Sequence, residues 1–589
     1  MRASRNFDLL LEYAAQYPDR SMLAGKSKGQ WTEYSAQTCL DTVNLLSYGL
    51  LNLGFEPGDR AAIISFNRPE WNWADYAVSQ LGGITVPMYP TASADDQAYI
   101  LNDAQVKILF IEKEEFIQKW LSIKDQVPTI QRVITFESHA EGLHLSELIS
   151  IGKSNPDPQT VELRRSHIRT EDLMTLIYTS GTTGRPKGVM LSHQNILSNV
   201  NTCTDLFPMF QDKKVLSFLP LCHIFERMVG YLYVSLRASI FYAESMETIG
   251  ENLKEVHPYA FTTVPRLLEK VYDKIVAAGR AKPQPIRAIF FWALKLGHAY
   301  ELHEKNGAWY HFKLKIADAL VFKKWRAALG GEAEVIVTGA AALQPRLARV
   351  FTAAGISVLE GYGLTETSPV ITVNQMPHSG RMFGSVGPVI DGVQVKIAED
   401  GEILCKGPNV MMGYYNKPDA TAEVMDADGW FHTGDIGEFR EGKFLAITDR
   451  KKEVFKTSGG KYIAPQPMEN AFKESPFIEQ IMVVGPDRNF PSALVSPAWE
   501  HVESWLKHKG LPLKSPEELV NDALLRTKIE KEIQRINQRF GQWEQVKKFV
   551  LVPRPFSIEG GELTPTLKLR RKTLYTSYAD EIESMYSKA

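Results

Sequence analysis

The chain has 589 residues, more than one hydrophobic core ordinarily serves, so at least two domains are expected. With 44% hydrophobic and 23% charged residues, its composition is that of a globular protein and excludes a disordered or fibrous chain. Lys plus Arg (67) nearly balance Asp plus Glu (69), so no whole-molecule field draws nucleic acid, and an anionic ligand must be met locally.

Residues 1–20 spread charges through their only apolar stretch and read as an amphipathic helix, not a signal peptide. No run of about 18 uncharged apolar residues occurs, which excludes an ordinary transmembrane helix; contact with a membrane surface stays open. Between Arg60 and Phe136, β-rich runs (61–66, 84–88, 106–111, 132–135) alternate with helix-like segments such as 69–81. That rhythm predicts βαβ units around a buried parallel sheet, an α/β fold. The polar stretch 152–158, GKSNPDP, reads as a surface connection. Cys39, Cys203, Cys222 and Cys405 have neither metal-ligand spacing nor the density of a disulfide framework, which points to a reducing, cytoplasmic setting.

Residues 178–188, YTSGTTGRPKG, lie between two apolar runs. Small, flexible and hydroxyl-bearing residues let a backbone wrap close to phosphate oxygens, and Lys187 adds charge. The spacing from Gly181 through Gly184 to Lys187 is not that of a Walker A loop, so an ordinary P-loop ATPase is not expected. Residues 282–329 are predicted helical and rich in aromatic and basic side chains, among them Trp292, Trp309, Lys323 and Trp325. Two readings stay open there: amphipathic helices with packed aromatics and solvated lysines, or a surface facing lipid or lining an acyl chain. Past Asp449 the chain turns basic (DRKKEVFKTSGGK) and leads into a smaller αβ region, which places domains at 1–449 and 450–589. Leu525, Ile529, Ile533, Ile536 and Phe540 recur at helical spacing.

The loop at 178–188 resembles the phosphate-binding motif of the adenylate-forming enzymes, which include acyl-CoA synthetases, luciferases and the adenylation domains of peptide synthetases. The family's other motifs follow in order over nearly the whole chain. The resemblance implies that Thr179, Ser180, Gly181, Thr182, Thr183, Gly184 and Lys187 meet the phosphates of ATP. It implies that Gly339, Ala340 and Ala341, in TGAAAL, form a small-residue wall for adenine. In LEGYGLTETSPV it puts Glu360, Gly361, Tyr362, Gly363 and Thr365 at the nucleotide, with Tyr362 stacked on the base, Thr365 at the α-phosphate and Glu366 helping to hold Mg²⁺. An aromatic face suits a purine, and a carboxylate suits a hard divalent ion that also takes phosphate oxygens.

In DGWFHTGDIG the resemblance implies that Asp435 accepts from both ribose hydroxyls, joined by Arg450, and that Lys452 is a hinge. His223, in FLPLCHIFER, would stand beside the reacting carboxylate, steadying it or only shaping the pocket. Lys568, in GELTPTLKLRRK, matches the catalytic lysine; without the resemblance it would pass for part of a solvated basic tail with Arg570, Arg571 and Lys572. Gly459, Gly460 and Lys461 are expected to border the route of coenzyme A once a small, mobile α+β domain has rotated. The motifs look most like those of long-chain fatty acyl-CoA synthetases, with fatty acid, ATP and coenzyme A as substrates. Two rivals remain: a ligase that delivers the acyl group to a carrier protein, for which the chain shows no added carrier domain, and a non-catalytic acyl or nucleotide sensor. Oligomeric state stays open, a homodimer included.

Overall fold

The structure, a computed structural model, describes residues 2–179, 185–557, 559–564 and 568–587. The chain divides into two compact units: residues 1–268, 275–395 and 405–431 form one, and residues 269–274, 396–404 and 432–589 the other.

The first unit is built on two eight-stranded sheets. In one of them Arg60–Ile64 lies between Ile84–Met88 and Ile108–Ile111, all parallel, with Arg132–Thr135 next beyond. The helix Pro69–Gln80 makes the crossover between the first two of these strands. Successive side chains of a strand point to opposite faces, and here both directions are apolar. Ala61, Ile63, Ile108 and Phe110 enter one core cluster, while Ala62, Ile64, Leu109 and Ile111 enter another. That double burial is why these strands read as short continuous apolar runs. On its other side the sheet adds Leu173–Thr179 in parallel, then Lys187–Ser192 and Gly413–Tyr414 antiparallel.

The second sheet runs Val370–Val373, Ser357–Gly363, Val335–Thr338, Ala260–Thr263, Lys214–Ser217, Ser239–Tyr242, Ser21–Ser27, Gln30–Ser35. Its six inner strands are parallel, and an antiparallel strand closes each edge. Parallel neighbours end on the same side. The segments that follow Ser217, Thr338 and Gly363 therefore gather at the carboxyl edge, where open α/β sheets bind their ligands.

The surface connection expected at 152–158 is present but shorter, residues 155–157 linking two helices. Leu145–Ser154 runs through Gly152, and the next helix starts at Pro158. Gly152 is buried against the helix Ala36–Asn52, where a Cβ would lie 1.9 Å from the Leu45 carbonyl oxygen. Gly152 therefore belongs to a close contact between helices and not to the connection. The expected amino-terminal helix is present as Asn6–Gln16, burying Phe7, Leu10 and Tyr13.

In the second unit, Phe431–Arg440 pairs antiparallel with Phe444–Arg450. After them come a small hairpin (Phe455–Lys456, Tyr462–Ile463) and a mixed three-stranded sheet, Ile478–Val484, Ser492–Pro497 and Lys548–Leu551. The helix Ala523–Asn537 buries Leu525, Ile529, Ile533 and Ile536 as their spacing predicts, with Phe540 partly buried just beyond it. A large α/β body of αβ sub-domains with a smaller α+β body is the class the sequence predicts.

Candidate active site

In the first unit the two outer strands of the first sheet frame the phosphate-loop candidate: Thr179 and Lys187 are cross-strand partners at its ends. Ser180, Gly181, Thr182, Thr183 and Gly184 lie outside the described residues. Lys187 holds its ammonium 4.9 Å from the centre of the Tyr414 ring. The Tyr414 hydroxyl donates to Glu366 Oε1 at 2.8 Å. One phenol thus joins the candidate phosphate lysine to the candidate metal carboxylate, because Gly413–Tyr414 pairs with Val189 and Met190 just past Lys187. Burial, then the Glu366 charge, pushes the Tyr414 phenol well above its ordinary value, so it remains a donor.

Glu366 sits in a tight turn, Thr365–Thr367, that is fixed on both sides. Thr367 Oγ1 accepts from Leu364 N (2.9 Å) and donates to Pro369 O (2.7 Å), and Met411 N donates to Glu366 O (2.8 Å). Gly363 permits this turn: a Cβ there would lie 1.6 Å from the Pro369 carbonyl oxygen. Tyr362 is half-buried beside it, opposite Thr372 on the edge strand. Glu360 points inward and accepts from Leu343 N at 3.3 Å, tying Ser357–Gly363 to the turn that carries Gly339, Ala340 and Ala341. Burial pushes the Glu360 carboxyl up to about 8. Ala340 holds φ +67, a left-handed conformation that a bulky residue would resist, and Ala341 is exposed. Gly339 approaches Gly361 O, with 3.4 Å left for a Cβ.

His223 caps the helix Ile224–Ser235. Its Nδ1 accepts from Phe225 N at 3.2 Å, which assigns the hydrogen of the neutral ring to Nε2. The loop before it is pinned by Asn67, which donates to Leu219 O (2.6 Å) and accepts from Leu221 N (3.0 Å). One turn past His223 lies a group the sequence reading did not single out. Glu226 is 1% exposed and accepts from Ser217 Oγ at 2.6 Å and from Thr262 Oγ1. Burial pushes its carboxyl from 4.5 up to about 7, against the opposing effect of those two bonds. Below pH 4.5 the folded and unfolded chains both carry this proton. Between 4.5 and about 7 only the folded chain keeps it, so stability falls as pH rises through that window, by on the order of 3 kcal/mol if this group acts alone. Urea unfolding of Glu226→Gln against wild type across the window should show that part of the slope removed.

In the second unit Asp435 and Arg450 are cross-strand partners, with Arg450 Nε 3.4 Å from Asp435 Oδ1. Asp435 is buried, and the turn before it is clamped by Glu402, which accepts from Gly434 N (2.9 Å) and pairs with His432 and Lys451. Lys451 also pairs with Asp400 at 2.6 Å. Two residues on, Glu453 binds Arg571 at 3.0 Å, and Arg571 in turn binds Glu469 at 2.7 Å. Lys452 is the exposed residue between these two anchors. Arg571 is therefore no part of a solvated tail; it is a half-buried ion-pair centre. Lys568 is tied to Thr564, whose N donates to Lys568 O at 2.8 Å while Lys568 N donates to Thr564 Oγ1 at 3.1 Å. Gly459, Gly460 and Lys461 form the tip of the hairpin, with Gly460 at φ +79 and the Lys461 ammonium 5.4 Å from the Trp543 ring centre.

The structure thus brings Lys187 and Glu366 together through Tyr414, and Asp435 together with Arg450. Tyr414 had no motif of its own, and only its pairing with the strand of Lys187 reveals it. Among the described residues no three His, Cys, Asp or Glu side chains cluster as a metal cage. A single carboxylate held by a phenol suits Mg²⁺, which takes most of its ligands from phosphate and water.

Residues 10–415 match the family model of the AMP-binding enzymes, and residues 452–589 that of the AMP-binding enzyme C-terminal domain. The long-chain-fatty-acid–CoA ligase FadD15 of Mycobacterium tuberculosis is 33% identical over 98% of this chain and 96% of its own length. The long-chain-fatty-acid–CoA ligase ACSBG2 of Xenopus laevis is 34% identical over 99% of this chain and 83% of its own. The fold is similar to the adenylation domain of a carboxylate reductase from Mycobacterium chelonae, with a TM-score of 0.76 at 21% identity, covering 99% of this chain and 91% of that one. Matched by family models over most of its length and by relatives end to end, the chain belongs to the AMP-binding enzymes.

Proposed function

We propose that this protein joins a long-chain fatty acid to coenzyme A in two steps, forming an acyl-adenylate from ATP and then the thioester. The near full-length likeness to long-chain-fatty-acid–CoA ligases carries the reading, and the Lys187–Tyr414–Glu366 arrangement supports a polyphosphate guest.

In the first step a carboxylate oxygen attacks the α-phosphorus, and the bond to pyrophosphate breaks. Lys187 and Lys568 offset the repulsion between the two anions, His223 orients the carboxylate through Nε2, and Asp435 with Arg450 holds the ribose. Tyr362 stacks on adenine against Gly339, Ala340 and Ala341, and Thr365 donates to the α-phosphate. Mg²⁺, held through Glu366, would supply charge neutralisation at the phosphates when bound. In the second step the thiolate attacks the acyl carbonyl and AMP leaves. The domains at 1–449 and 450–589 reorient about Lys452, and the hairpin tip at Gly459, Gly460 and Lys461 then borders the pantetheine arm.

Tyr414→Phe removes a hydrogen bond to a charged group, a loss of about 2 kcal/mol. It should lower kcat/KM for MgATP by about tenfold or more while leaving KM for coenzyme A unchanged.

The test of the whole reading is pyrophosphate release with MgATP over fatty acids of graded length, with and without coenzyme A. Each buried methylene contributes about 0.8 kcal/mol, so release should climb steeply toward long chains. Thioester should appear only with coenzyme A. Release without thioester would reassign the acceptor to a carrier protein, and no release with any acid would leave a binder.

A further inference from the structure

The helical segment that the sequence left between two readings packs some of its aromatic side chains inward and exposes others. Ile286–His298 and Gly307–Ala317 pack together, with the Tyr310 hydroxyl donating to Leu296 O at 2.6 Å. Phe290, Tyr310, Phe322 and Trp325 face the interior. The outer face of such a surface helix should be polar, and here it is not. Trp309 (69% exposed), Phe312 (53%), Ile316 (39%) and Leu320 (47%) form one stripe along the second helix and the wider turn Asp318–Phe322 that continues it. On the neighbouring helix Ile286, Ile289 and Trp292 are exposed at three-residue spacing. These are seven of the 17 large hydrophobic side chains exposed among the described residues, all within positions 286–320.

The charge around the stripe is of one sign. Between Lys282 and Leu329 there are nine Lys and Arg against three Asp and Glu. Two of the three acids are taken up by arginines, Glu301 by Arg349 and Asp318 by Arg326. Lys282, Arg287, Lys295, Lys315, Lys323 and Lys324 are exposed. The Trp309 and Phe312 rings stack at 5.4 Å, and the Lys313 ammonium lies 5.7 Å from the Trp309 ring centre.

We propose that this face docks on the surface of an anionic lipid bilayer. Tryptophan and apolar side chains on a helix lying in the interface sink to the boundary of the acyl chains, while lysines beside them meet anionic headgroups. A two-fold pairing with a second copy would set this lysine-rich patch against itself, and like charges in apposition oppose such an interface. The docking has a purpose that rests on the ligase reading: a long-chain acid partitions into bilayers, so an enzyme seated there meets its substrate where it is concentrated. The binding itself needs no catalysis.

All four native thiols are buried, so Ala319→Cys gives one accessible site in the stripe for an environment-sensitive fluorophore. Without ATP, acid or coenzyme A present, phosphatidylcholine vesicles containing phosphatidylglycerol should raise and blue-shift its emission, and pure phosphatidylcholine should do so far less. In that background, adding Trp309→Ser and Phe312→Ser should weaken vesicle affinity by about a hundredfold or more, because the two most exposed rings of the stripe no longer enter the interface. Lys323→Ala and Lys324→Ala should each weaken it about fivefold, an effect lost at high salt. Equal urea midpoints would certify the folds. The proposal is overturned by an unresponsive fluorophore, by equal vesicle affinity in the Trp309/Phe312 variant, or by a dimer in vesicle-free solution that this variant dissociates, which would give the face to a second copy. Because no turnover is measured, failure of the ligase reading would leave the vesicle result unchanged.

Discussion

Replacing Lys568 by alanine should lower acyl-adenylate formation by about two to three orders of magnitude, the usual consequence of removing a cation aimed at developing charge. The same variant should convert a supplied acyl-adenylate and coenzyme A to thioester at close to the wild-type rate. The lysine is well suited to such a test. The bonds that tie residue 568 to Thr564 are made by the backbone of residue 568, so they survive truncation of its side chain. The flanking residues are also secured independently: Arg570 N donates to Glu562 O, and the buried Glu562 carboxylate binds Arg554 and accepts from Ser557 N. Stability should therefore change by no more than about 0.5 kcal/mol. Loss of both half-reactions in equal measure, with the fold intact, would remove Lys568 from its proposed place in the first step alone.

The βαβ region was legible because parallel strands buried on both faces have nowhere to put a polar residue, and Ala61 to Ile64 show this directly. The start of the connection at 152–158 was placed too early because a glycine that admits a neighbouring helix and one in a loop look alike in sequence; only the Leu45 carbonyl distinguishes them. The candidate site divides along the same line. Segments continuous in the chain, such as 359–370, could be recognised as units. Tyr414 and Glu226 could not, since Tyr414 meets Glu366 across 48 positions, and Glu226 meets Thr262 through two parallel strands. Arg571 shows the converse error. Three consecutive cations look solvated in sequence, yet the middle one is half-buried and paired with both Glu469 and Glu453.

Lys452→Pro should give the opposite kinetic split from Lys568→Ala, with adenylate formation near wild type and thioester formation reduced by about a hundredfold or more. The argument rests on the neighbours of Lys452. Lys451 is held to Asp400 and Glu402, in the 396–404 segment. Glu453 is held to Arg571, which also binds Glu469 and so belongs to the α+β core. If the α+β core that holds Glu469 turns between half-reactions relative to the 396–404 segment, which clusters with it in the second unit, the rotation must be absorbed where the chain passes from one anchor to the other, and that place is Lys452. Proline would fix φ near −65° there and restrict residue 451 as well, removing the freedom that a rotation needs. Lys452→Ala, which keeps that freedom, should support both half-reactions. Rapid quench of the two steps with one batch of each variant separates the cases. A proline variant that still forms thioester at the wild-type rate would show that the rotation, if it occurs, pivots elsewhere.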